Sequence, residues 1–150
     1  MKAECSDGRV KIKTSREEIE INSRDIIHFP DGLIGFEEYT DFIIFDLKGC
    51  PPFKSMLSVR EGGPDFVVLE PLGIFKDYAL YVAGAPLAFT DLGNPGDQAL
   101  LSIVTLSERP EEITVNLRGP IFLNFTTRRA RQVIISDDRF QTREPLFPYG

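Results

Sequence analysis

IIHFPDGLIGFEEYTDFIIFDL, residues 26–47, sets two branched and aromatic runs, IIHF (26–29) and FIIFDL (42–47), on either side of a glycine-punctuated stretch. That stretch carries the chain's only histidine, His28, with the carboxylates Asp31, Glu37, Glu38 and Asp41 close by in sequence. A histidine among carboxylates is the raw material of general acid–base chemistry. Gly32 and Gly35, set between Phe29, Leu33, Ile34 and Phe36, are the raw material of a tight reversal. There the glycines take positive φ and the apolar side chains pack beneath the turn. A catalytic dyad would need Asp31 or Glu37 within hydrogen-bond reach of the imidazole, and a nucleophile or substrate pocket besides. The chain has no G-x-S-x-G, no phosphate-cradling glycine loop and no second histidine to complete a metal site. The stretch therefore reads as a corner between two strands.

The rest of the chain repeats that grammar. VKIKT (10–14) and EIEI (18–21) alternate with period two, so Val10 and Ile12 would share one face and Ile19 and Ile21 the matching face of a hairpin partner. SMLSV (55–59), FVVLE (66–70), YALYV (78–82), LLSIVTL (100–106), ITVNL (113–117), IFLNF (121–125) and RQVIIS (131–136) are rich in branched and aromatic residues, as strands are. KGCPP, REGGPD, GNPG, SERPEE and RGP punctuate them with turn chemistry. Only residues 84–99 have room for a helix, with Pro86 in a first turn and Gly93 as a C-terminal cap. FIIFDL and LLSIVTL are apolar on both faces and must be covered on both. EIEI exposes a polar face. An antiparallel, strongly coiled sheet or partly open barrel accommodates both kinds of strand.

Composition limits what such a fold can do. At 150 residues, 42% of them apolar, the chain is expected to form one domain over 1–150, with the proline-punctuated tail 144–150 flexible. Seventeen Lys and Arg against 23 Asp and Glu leave a net charge of −6, which disfavours unaided binding to an anionic nucleic acid. It suits a basic protein partner, or simply keeps the protein in solution. Cys5 and Cys50 are isolated, MKAECSDGRVKIK lacks the apolar core of a secretory leader, and no apolar run approaches the roughly 20 residues of a membrane helix. A cytoplasmic protein with reduced thiols is the expectation.

Three further stretches could carry function. TTRRARQ (126–132) is the one dense basic cluster. Placed on a strand, Arg129 and Arg131 share a face opposite Arg128, Ala130 and Gln132, a split that makes a poor phosphate track without stacking aromatics. PPFKSMLS (51–58) would be a contact patch if Phe53, Met56 and Leu57 were exposed, and core filler if they were buried. The paired carboxylates Glu17–Glu18, Glu37–Glu38, Glu111–Glu112 and Asp137–Asp138 read as solvated loop charges or as an acidic docking face. No catalytic, cofactor-binding or metal-binding set emerges.

The order of motifs resembles one family. FPDGLIGFEEYTDF (29–42), PFKSMLS (52–58), FVVLEP (66–71), IVTL (103–106), VNLRGPIFLN (115–124) and RQVII (131–135), closed by TREPL (142–146), are similar to the flagellar assembly factor FliW family over roughly residues 10–146. The family usually has Gln where Leu57 stands. The resemblance implies a mainly β, single-domain, partly open antiparallel β-barrel with one or two short helices, cytoplasmic, monomeric when free and not an enzyme. It implies no cofactor, no direct nucleic-acid contact and no membrane. Its implied partners are flagellin and the carbon storage regulator CsrA, an RNA-binding translational repressor. Flagellin occupies the factor until it is exported. The freed factor then sequesters CsrA and relieves repression of flagellin translation. The alternative is a flagellin export chaperone with no repressor-binding role. Partner contacts are expected at Phe53, Met56 and Ser58 and at Asn116 and Asn124, the two asparagines serving equally well as turn-satisfying side chains.

Overall fold

The structure is a computed structural model that describes residues 3–6, 9–13, 18–49, 51–75, 78 and 98–147. It is mainly β. Strands β1 (Ala3–Ser6), β2 (Arg9–Lys13) and β3 (Glu18–Asn22) form an antiparallel meander, and β2 and β3 pair in the expected register, Val10 opposite Ile21 and Ile12 opposite Ile19. The remaining strands are β4 (Ile27–His28), β5 (Asp41–Asp46), β6 (Lys54–Ser58), β7 (Asp65–Leu69), β8 (Gln98–Thr105), β9 (Thr114–Val115), β10 (Ile121–Asn124), β11 (Arg129–Gln132) and β12 (Glu144–Pro145). Pairing runs β10–β11–β4–β5–β6–β7–β8, and β8 returns to β10, which closes a seven-stranded barrel. All the pairs are antiparallel except β11–β4, a parallel seam of one register pair, Arg129 opposite His28. The opening expected from sequence thus narrows to that seam and to one end, where β8 runs on past Leu69, the last β7 residue paired to it.

Period-two alternation divides the apolar residues among three cores. Phe42, Met56, Val68, Leu101, Ile121, Leu123 and Ala130 fill the barrel with Ile27, Phe29 and Leu33. The residues between them point outward. Leu69, Leu100, Val104 and Phe122 pack beneath Ile135, Phe140 and Leu146 of the C-terminal segment, together with Tyr78. Ile43, Leu57 and Val59 pack under Ile21 and Ile26, which explains an apolar residue at position 57. Strands that read as apolar on both faces are therefore those that separate the interior from an outer layer. Fully burying each large side chain contributes about 1.5–3 kcal/mol.

Several expectations need correcting. The tail does not fray from residue 144: Glu144 and Pro145 pair with β9, Leu146 is buried, and its N–H donates to the Ile113 carbonyl at 3.0 Å. Burial of Leu146 in the outer core anchors it. RQVIIS is strand only to Gln132, after which Val133 and Ile135 donate to the carbonyls of Pro120 and Arg118 and lie over the barrel wall. The helical segment 84–99 and the strand 78–82 fall outside the described residues, apart from Tyr78 and from Gln98 and Ala99, which begin β8. Among the described residues, single 3-10 turns lie at Ser23–Asp25, Pro71–Gly73 and Pro110–Glu112, and Tyr78, where the sequence suggested a strand, is helical.

The corner forms as its glycines require. Gly32 (φ +66°) and Gly35 (φ +86°) both sit in the left-handed region. Phe29 and Leu33 are buried beneath them, whereas Ile34 and Phe36 remain exposed, Phe36 packing edge-on against Phe66 at 5.2 Å. A Cβ on Gly32 would come within 2.6 Å of the Glu37 backbone, but one on Gly35 would meet nothing. Gly32→Ala should therefore cost about 2–3 kcal/mol in urea denaturation and Gly35→Ala about 1 kcal/mol, the strain of φ alone. Equal losses would contradict the close approach.

Tyr78 ties the outer layer to the barrel. Its hydroxyl donates to the Leu117 carbonyl and its ring meets Phe140 edge-on at 4.9 Å. Burial pushes the phenol pKa above its ordinary range, and the neighbouring Ser102 hydroxyl offsets this only in part. A raised folded pKa gives stability that is complete below the unfolded value, about pH 10, and lost as pH rises beyond it. Tyr78→Phe should lose about 1–2 kcal/mol near neutral pH yet decline less steeply above about pH 10. Parallel declines in the two proteins would show that Tyr78 is not the group responsible.

Candidate functional site

The register of β4 and β5 sets His28 directly opposite Asp41, and the imidazole Nδ1 lies 2.7 Å from the carboxylate Oδ1. Neither of the carboxylates suggested by sequence proximity reaches it. Asp31 turns to Arg131 at 3.5 Å, and Glu37 accepts from the Gly35 N–H at 2.9 Å. Both members of the pair are open to solvent, 50% and 38% exposed, the setting in which cross-strand ion pairs contribute about 1 kcal/mol or less. Among the described residues no group of three or more His, Cys, Asp or Glu side chains could hold a metal ion. His28 is a ladder residue whose ring meets the carboxylate of its cross-strand neighbour.

The residues singled out from the Pro-Phe segment are mostly interior. Met56 is wholly buried in the barrel, and Ser58 is buried with its Oγ accepting the Arg60 N–H at 3.1 Å. Phe53 is half-buried, packs against the outer core and lines a surface cavity with Pro51, Pro52 and Ile74. The two asparagines shape turns. Asn116 Oδ1 accepts from the N–H groups of Arg118 and Gly119, and buried Asn124 Oδ1 accepts from those of Thr126 and Thr127, both at 2.8 Å. Of the five, Phe53 is the one whose ring reaches a cavity.

The basic cluster is not a continuous strand. Arg128 lies in the turn after β10 at φ +58°, so only Arg129–Gln132 keep the strand alternation, and Arg131 is held by Asp31. Of the paired carboxylates, Glu37, Glu112, Asp137 and Asp138 have local partners. Asp138 lies 3.5 Å from Arg118, and Glu112 accepts from the Ser107 hydroxyl at 3.0 Å. The Arg139 guanidinium beside Asp137 holds its carboxyl down to about 2.

Sequence reasoning missed the open end of the barrel. A cavity of about 490 Å³ there has the interior residues Ile27, Ile44, Leu101 and Leu123 as its floor and the exposed rings of Phe45 and Phe125 at its rim. The Phe53 cavity adjoins it and shares Asp46, Lys54 and Glu70. No periodicity rule would have found it. Phe45 is on the face of Ile43, but the covering meander shields Ile43 and leaves Phe45 41% exposed.

Comparison with known proteins agrees with the motif order. A sequence model of the FliW family, described as FliW protein, matches residues 11–146. A flagellar assembly factor FliW of Clostridium botulinum (strain Langeland) is 35% identical over 129 residues, 86% of this chain and 90% of its own length. One from Natranaerobius thermophilus is 34% identical over 131 residues, 87% of each chain. A crystal structure of the flagellar assembly factor FliW superposes with a TM-score of 0.78 at 31% identity, covering 94% of this chain and 98% of that one. With the closed barrel and nearly every described element inside the matched span, the chain belongs to the FliW family of flagellar assembly factors.

Proposed function

We propose that this protein binds flagellin in the cytoplasm and, when flagellin is scarce, captures a CsrA-type translational repressor. Flagellin synthesis would thereby follow flagellin export. The observation that carries this reading is the family match from residue 11 to residue 146. The chemistry is compatible with it. A chain of net charge −6 is electrostatically suited to a basic RNA-binding partner, and an acidic body docked within about 8–10 Å of an RNA track would repel incoming phosphates. The described surface offers His28 and Asp41 as an exposed cross-strand pair, and the proposed role needs no catalytic group. It requires only surfaces that two partners can compete for or couple through.

Titrating the purified protein with a CsrA-type repressor, with and without flagellin, tests the proposal. Repressor binding should be lost when flagellin saturates the protein, should weaken at least about tenfold between about 50 and 500 mM salt, and should survive His28→Ala. Flagellin binding with no repressor binding would reduce the protein to an export chaperone. Salt-insensitive repressor binding would refute the electrostatic part of the proposal.

A further inference from the structure

We infer that the open end of the barrel is a docking slot for a short, extended segment of a partner protein that carries a bulky apolar side chain and, two residues along, a lysine or arginine. The floor is the barrel interior itself. Ile27, Leu101 and Leu123 are core residues of the barrel, Ile44 packs half-buried against them, and all four line the cavity. Phe45 and Phe125 stand at its rim, 41% and 50% exposed, which is where an entering apolar side chain would gain contact on both sides. Aromatic walls around a desolvated pocket are the usual anchor point of a peptide side chain.

The rim selects the charge of the occupant. Among the described residues, Glu20, Asp25, Asp46 and Glu70 line the cavity against two cations, Lys54 and Arg128. Lys54 and Asp46 offset one another, the ammonium 2.6 Å from Asp46 Oδ1, which leaves three acidic residues against Arg128 in the lining. The balance favours a cationic neighbour for the buried side chain and disfavours an acidic one. Asp46, Lys54 and Glu70 also border the adjoining Phe53 cavity, of about 620 Å³, with Ile74 on its far wall. An extended segment has its alternate side chains on one face, so one passing over Glu70 could seat an apolar side chain in the barrel mouth and present a basic residue two positions along to Glu70 and the adjoining cavity. The inference rests on the proposed function only for the identity of the partner, and not for the existence of the slot.

The test uses the full chain and a fluorescein-labelled peptide Ser-Phe-Thr-Lys-Ser, whose Phe and Lys share one face when extended, read by fluorescence anisotropy, with Ser-Phe-Thr-Glu-Ser as the charge-reversed control. The basic peptide should bind, the acidic one should not, and both Phe125→Ala and Glu70→Lys should weaken binding at least about tenfold with unchanged melting temperature. Glu70 is exposed, so Glu70→Lys keeps the test decisive should Phe125→Ala perturb folding. Absence of binding, equal binding of the acidic peptide, or binding indifferent to both variants would overturn the inference. Titrating the wild-type protein with flagellin and repressor separates the two readings. Peptide binding with neither protein bound would sink the functional reading and keep the slot, and the reverse result would do the opposite.

Discussion

Closure of the sheet on itself, through the four pairs from Leu101–Ile121 to Gln98–Asn124, is the constraint on which the rest of the structure depends. Closure makes β8 a wall with two insides, Leu101 and Ile103 facing the barrel and Leu100 and Val104 facing the C-terminal segment. It also removes the free edges that an open sheet of this length would present for unintended pairing. The turn that makes closure possible is fixed by buried Asn124, whose side-chain oxygen takes both N–H groups of the reversal into β11. Without that turn, Ala130 would not face inward and the seam with His28 would have no register.

A closed barrel with outer layers has few places left to meet a partner. Most of its apolar surface is committed to three cores, and most of the described acidic pairs are met by nearby donors or cations. One place among the described residues where interior side chains reach the surface is the splayed end, where β8 outruns β7 beside Phe45 and Phe125. A closed barrel with an acidic mouth is a physical form suited to a protein whose proposed work is to be occupied by one partner or another. The family membership states the setting, flagellar assembly.

Much of the fold is legible in the sequence because period two is a strong signal. The β2–β3 register, the glycine corner and the two-faced strands all follow from alternation and turn chemistry. What stays hidden comes from pairing across the chain. Asp41 lies inside the stretch that raises the question about His28, yet only the β4–β5 register, and not sequence proximity, makes it the partner. Met56, Ser58 and Asn124 look the same in sequence whether they serve a surface or an interior, because both faces of the wall are lined with apolar or small residues. The tail misleads for the opposite reason. Its prolines and charges are those of a loop, and burial of Leu146 in the outer core, together with the pairing of Glu144 and Pro145 to β9, holds it in place.

The most direct test of closure is native-state hydrogen exchange on the free protein. If the ring is closed, amides of residues 98–105 and 121–124 will be among the slowest, exchanging only through global unfolding and at the same free energy as those of β5 and β6. Rapid exchange across 121–132 while residues 41–69 stay protected would mean an open sheet whose last strands are loosely attached. Closure could not then be the constraint that organises the fold.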